Sequence, residues 1–253
     1  MLERFDAGRR ARAAGLHLLI CLAVAAVAAT LVFGLWFPGI YRVVAGGRDL
    51  FLLISSVDVV LGPLLTFAVF NPKKSRRHLQ KDLTVIGVLQ LAALVYGLHT
   101  VYLARPVAMV FEVDRFRVVP AAQVYLSELP KARQEFRKLP LTGPWLLGTR
   151  APRAGDEHNE AMFMSIEGIE RSDRPLFWQP YGESVPDVHS RSRPVSVLLA
   201  KYPSRAVEIR AQLQGLDEKA ATFVPLVSRG GDWVVILDAS GWPVQYVEAD
   251  GFF

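Results

Sequence analysis

The sequence predicts a membrane protein in two parts: a bundle of three transmembrane α-helices, then an α+β domain that ends in an antiparallel meander. Three observations carry this reading. Apolar residues are concentrated in the first 105 of 253 residues, in three runs close to the ~20 residues a helix needs to cross the hydrocarbon core. Basic residues gather beside those runs: residues 1–104 hold 11 Lys/Arg against 5 Asp/Glu, while residues 105–253 hold 18 against 19. The end of the chain alternates β-rich runs with tight turn formers.

The basic N-terminal excess reads as membrane topology, so the sequence pI near 9.5 does not imply a nucleic-acid partner. Cys21 is the only cysteine, which excludes an internal disulfide and a cysteine-based zinc site. No metal or cofactor motif is present; His158-Asn159-Glu160 lacks ligand spacing and reads as a solvated helix start.

Residues 1–15 carry four arginines and form the expected cytoplasmic segment. Spans are predicted over 16–37, 50–71 and 83–104, so that 16–104 forms the transmembrane region. Trp36, Phe37, Phe51, Phe70 and Tyr102 lie toward span ends, as in an interfacial aromatic belt. The loop between spans two and three, NPKKSRRHLQKD, holds five Lys/Arg and the loop between spans one and two holds two. The positive-inside bias therefore puts the N-terminus in the cytoplasm and residues 105–253 in the periplasm. The first apolar run exceeds the ~7–15-residue core of a cleaved signal, which favours an uncleaved anchor.

Span two is unusual. Asp58 falls near the bilayer middle, where an acid costs about 2.5–3.5 kcal/mol on insertion scales, so it should face protein or water. Ser55, Asp58, Gly62 and Thr66 recur at helical spacing as one small, polar face, and Pro63 should bend the helix near 59–63. Span three offers Gly87, Gln90 and Gly97 as a matching surface, with Tyr96 at the depth of Asp58 and expected to bond it. Asp58 can lock the bundle, dock another membrane helix, or do both. A lone acid excludes the paired-carboxylate chemistry of an intramembrane aspartyl protease, and too few spans and ionisable groups are present for a proton-coupled transporter. No enzymatic activity is expected.

Beyond span three, VAMVFEV and FRVV predict two strands, the second ended by Pro120. Ser127 is a candidate N-cap for a surface helix over 127–139, and PWLLGT reads as a strand. Residues 156–169 predict a helix with Ala161, Met164, Ile166 and Ile169 on an apolar side. Residues 171–194 hold four prolines and read as an irregular loop, its Phe177, Trp178 and Tyr181 expected to be buried. A helix over 203–216 starts near Pro203 and ends near Gly215. ATFVPLVS, DWVVILD and WPVQYVE form the meander, with Asp232 and Asp238 at its turns.

The order of these parts resembles the TfpX/TfpZ family of type IV pilin accessory proteins of Gram-negative bacteria. The resemblance is carried by the basic N-terminus, the Asp58…Gly62-Pro63…Thr66 span, the NPKK loop, FEVDRFRVV after span three and the terminal VPLVSRGGDWVVILDASGWPV. It is strongest over 40–125, and residues 140–200 do not match. It implies a non-enzymatic inner-membrane chaperone or assembly factor whose partners are the type IV major pilin, the lipid bilayer and other pilus assembly proteins. On that reading Ser55, Asp58, Gly62, Pro63 and Thr66 meet the pilin helix, with Gln90 and Tyr96 as intramembrane support. Phe111, Glu112, Asp114, Arg115 and Phe116 would couple that contact to the periplasmic domain. The alternative is a membrane-anchored periplasmic sensor or ligand-binding protein, which the lack of a cytoplasmic output domain disfavours.

Overall fold

A computed structural model describes residues 7–213 and 215–253. Residues 1–6 of the expected cytoplasmic segment, and Gln214 in the expected 203–216 helix, lie outside the described residues. The chain divides into two units. One comprises the chain to Trp36 and Gly47–Ala104; the other comprises Phe37–Gly46 and Arg105–Phe253.

The first unit is helical. Helix α1 (Ala7–Leu31) is built from Ala and Leu, strong helix formers, and continues as a π-helical turn over Val32–Trp36. Span two comprises α3 (Gly47–Ser56), a π-helical turn (Val57–Leu61) and α4 (Gly62–Val69). Span three is α5 (Arg76–Ala104). Among the described residues, three helices are long and apolar enough to cross a membrane: Ala7–Trp36, Gly47–Val69 and Arg76–Ala104. The shortest, at 23 residues, is about 35 Å long, enough for a hydrocarbon core of about 30 Å. Helix α5 starts seven residues earlier than the apolar run, so Arg76, Arg77 and Lys81 ride on its first turns.

The second unit contains α2 (Tyr41–Val44) and, among the described residues, an eight-stranded sheet. The strands are β1 (Pro106–Glu112), β2 (Arg115–Pro120), β3 (Trp145–Thr149), β4 (Trp178–Pro180), β5 (Arg193–Pro194), β6 (Thr222–Ser228), β7 (Gly231–Leu237) and β8 (Pro243–Glu248). Their order is β4-β3-β1-β2-β6-β7-β8, with β5 pairing β6. The predicted hairpin (β1–β2) and meander (β6–β7–β8) are antiparallel, but β1–β3 and β2–β6 run parallel, so the whole sheet is mixed.

Side chains that alternate across these strands build two faces. Val224, Leu226, Trp233 and Val235 pack with Phe111, Phe116, Tyr181 and Val44. Phe223, Val234, Ile236 and Val247 pack on the opposite side against α8 (Val195–Lys201) and α9 (Ala206–Gln212). Strand β1 is therefore buried throughout, which explains its nearly unbroken apolar run.

Residues 37–46, the link between spans one and two, are part of this unit. Phe37 and Val44 are fully buried, so Phe37 belongs to a core and not to an interfacial belt. The Gly230 amide donates to the Val44 carbonyl at 2.9 Å, and a Cβ at Gly230 would overlap the Val43 and Val44 carbonyls. Tyr41 packs edge-on to Tyr246, with ring centroids 6.3 Å apart.

Three local expectations need correction, and one helix was not expected. Residues 127–139 form 3-10 turns over Leu126–Lys131 and Gln134–Phe136 instead of an α-helix, and Ser127 caps nothing. Pro130 removes an amide there, and Glu128 is drawn inward by Arg174. Residues 171–194 are not irregular throughout: Tyr181–Arg191 forms α7 with Pro186 inside it, although Phe177, Trp178 and Tyr181 are buried as expected. Helix α6 (Asp156–Ile166) stops short of Ile169 and buries only Ala161, leaving Ile166 76% exposed. Helix α8 had no signal in a seven-residue apolar-polar stretch between prolines.

Candidate functional site

The π-helical turn of span two carries the unusual chemistry. Asp58 is eleven residues from either end of Gly47–Val69, about 16 Å at ~1.5 Å per residue, and therefore at the middle of the span. In the i→i+5 register of the turn, its carbonyl would look to the amide of residue 63, which is proline and has none. Gln90 from span three supplies the missing donor: its Nε2 donates to the Asp58 carbonyl at 3.1 Å. Pro63 thus acts by freeing a carbonyl within a π turn, and a neighbouring helix repairs the loss.

The predicted small, polar face divides in two. Gly62 and Thr66 are buried inside the bundle. Gly62 lets the Gln90 amide lie where a Cβ would stand, and Thr66 Oγ1 lies 2.5 Å from His17 Nδ1 of span one. Gly97 of span three similarly admits Ile54, and Arg10 donates to the Ala68 carbonyl at 3.2 Å. These contacts lock three helices together. Ser55 and Asp58 instead line a cleft of about 190 Å³, with span two as its floor, His17 and Cys21 of span one on one wall, and Gly87 and Gln90 of span three on the other. One carboxylate oxygen of Asp58, Oδ1, is buried with no hydrogen-bond partner. Toward residues 31 and 98 the cleft continues between spans one and three, lined there by apolar residues such as Val27, Ala28, Leu31, Leu94 and Leu98.

Tyr96 does not join this site. It is 75% exposed on another face of α5, and the expected bond to Asp58 is absent. The reason is helical phase: residue 96 is turned about 120° from residue 90 at ~100° per residue, so equal depth does not bring it to the same face.

The proposed coupling residues form the β1–β2 hairpin end. Phe111 and Phe116 pack edge-on in the core, with centroids 5.5 Å apart. Val113 takes φ 55° to close the turn, a strained value for a β-branched residue, and Asp114 pairs with Arg115 at 2.7 Å. Glu112 is buried; it accepts the Ser172 amide at 2.8 Å and faces Arg117 at 3.6 Å. Burial pushes neighbouring Asp173 up to about 6, against the opposing pull of Arg117. Glu112 and Arg115 also line a wider cleft of about 770 Å³ shared with α6, whose Met162 and Ile166 are exposed there.

Among the described residues no group of His, Cys, Asp and Glu is arranged to hold a metal ion. Cys21, which the sequence analysis gave no place in the site, stands in the cleft wall 3.7 Å from the Gln90 amide; its spacing of four residues from His17 and three from Val24 was the available signal.

Comparison with known proteins gives consistent matches. The family model described as Fimbrial assembly protein FimB matches residues 5–46, which include span one and the link built into the sheet unit. A fimbrial assembly protein of serogroup I from Dichelobacter nodosus is 37% identical over 246 residues, 96% of each chain. Its serogroup E1 counterpart from the same organism is 36% identical over the same length. A protein of serogroups C1 and C2 is 45% identical over 122 residues, 48% of this chain and 93% of that one. No solved structure matches.

Proposed function

Because this chain belongs to the family of fimbrial assembly proteins, we propose that it is an inner-membrane accessory protein that chaperones the type IV major pilin by non-covalent contact and without catalysis. The N-terminus faces the cytoplasm and the sheet unit the periplasm, in keeping with the five Lys/Arg of the loop between spans two and three. The client's apolar helix lies in the cleft between spans one and three and is released to the growing fibre. The sheet unit meets the client's globular part.

The observation that carries this reading is the division within span two. Gly62 and Thr66 are consumed in packing the bundle, while Ser55 and Asp58 line an open, mostly apolar cleft at mid-membrane depth. Small residues and isolated polar groups are what helix–helix contact in lipid uses. Pilin stability and fibre output would both depend on the cleft. Photo-crosslinkers at Val24 and Leu94, both on its walls, should capture pilin in intact membranes. Crosslinks confined to this chain itself would overturn the docking reading.

A further inference from the structure

We infer that the helix occupying this cleft carries one hydrogen-bond donor at the level of Asp58, and that Asp58 selects its client through that donor. The inference rests on the docking reading above and adds the chemistry of recognition.

The polar groups around Asp58 are already committed elsewhere. The Gln90 amide is held by the Asp58 backbone carbonyl and Cys21 Sγ, and His17 is held by Thr66. Ser55, one turn away on the cleft lining, makes no bond to the carboxylate. The Asp58 carboxyl, half-buried on the cleft lining and with its Oδ1 covered by the bundle, is therefore an acceptor that the described chain does not satisfy. At mid-span no bulk water is present to replace the missing donor, so the acid is expensive until a partner supplies one.

That donor must arrive on a helix. Backbone at lipid depth has to satisfy its own amides and carbonyls, which a helix does, and an acyl chain has no donor to offer. The cleft has the corresponding shape. From His17 to Leu31 it follows span one for about 21 Å at ~1.5 Å per residue, and its lining beyond Asp58 is apolar. One polar position within an otherwise apolar helix is the complement of this surface. The space beside Gly87 is open, since a Cβ there would meet nothing within 4 Å.

The test uses the full chain in membranes with the major pilin co-expressed and a photo-crosslinker at Leu94. Yields are normalised to protein level. Capture should fall about tenfold with Asp58→Leu, as for one lost intramembrane hydrogen bond, and stay within about threefold with Asp58→Asn, which keeps an acceptor. Gly87→Leu should abolish capture by filling the cleft without disturbing the bundle. A scan of the client's apolar helix, replacing each donor-bearing residue by Leu, should find one position that reproduces the Asp58→Leu loss. Undiminished capture with Asp58→Leu, or a scan with no such position, overturns the donor inference and leaves the docking reading standing. No pilin capture from wild-type Leu94, or capture of lipid alone, overturns both.

Discussion

The two units differ in the partners they give to ionisable side chains held inside them. In the sheet unit Arg174 is 1% exposed, yet its guanidinium donates to Glu128 through two nitrogens, reaches Glu160 at 2.9 Å and stacks on Phe177 at 4.8 Å. Glu112 and Asp173 likewise take backbone amides from Ser172 and Glu170 while facing Arg117. Each of these groups keeps at least one partner, although Arg174 Nη1, Glu128 Oε2 and Asp173 Oδ1 are themselves left without a bond. In the helical unit Gln90 goes to the Asp58 carbonyl, and the Asp58 carboxyl, whose Oδ1 is buried, takes no bond or ion pair among the described residues. Charge that a fold satisfies from its own residues serves the fold. An acid to which the fold gives no partner at all is free to meet one from another chain.

That contrast can be broken. Arg174→Ala strands Glu128 in the core and should cost about 3–5 kcal/mol, read as early loss of protease resistance in residues 105–253. An equally large loss from Asp58→Asn would erase the distinction. The pH dependence of the sheet unit should follow Asp173. Its carboxyl is raised from 3.8 to about 6, so the native state holds a proton that the unfolded chain has already released. Its contribution to stability is whole below about pH 4 and is lost as pH rises through 6, by at most about 3 kcal/mol. Thermal unfolding should therefore come at lower temperature at pH 7.5 than at pH 5, and Asp173→Asn should flatten the difference.

Smaller effects sharpen the same comparison. Gly230→Ala forces a Cβ into the Val43 and Val44 carbonyls, which as backbone cannot swing aside, and should cost about 1–3 kcal/mol. New protease cleavage within 37–46 would report it. Asp58→Asn should change thermal stability by less than about 1 kcal/mol, because the carboxylate supports no internal bond. Tyr96→Phe should be silent in both stability and client capture, since the exposed ring uses no hydroxyl bond.

Patterns with a strong local cause were legible in the sequence. Three apolar runs, the FEVDRFRVV hairpin and the glycine-punctuated meander need only periodicity and turn chemistry, and all are present. The parallel pairings β1–β3 and β2–β6 were not legible, because a parallel neighbour is chosen by distant residues and leaves no mark on either strand. Helix α7 was hidden for a related reason: Pro180 and Pro186 advertise a loop, while burial of Tyr181, Ser184 and Val188 overrides them. Within the site, Asp58, Ser55 and Gln90 could be singled out by type and spacing. The split between locking Gly62 and open Gly87 could not, since two glycines look alike until their neighbours are known.

The seating of Phe37–Gly46 among strands that arrive more than sixty residues later has a consequence for biogenesis. The carboxy-terminal domain is a composite, completed by a short strap made early in translation. A fragment starting at residue 105 would emerge with an unfilled groove where Phe37, Ile40, Tyr41 and Val44 belong. Supplying the strap as a separate peptide should restore its compactness, and synthesis of the link between spans one and two becomes a prerequisite for folding of the sheet unit.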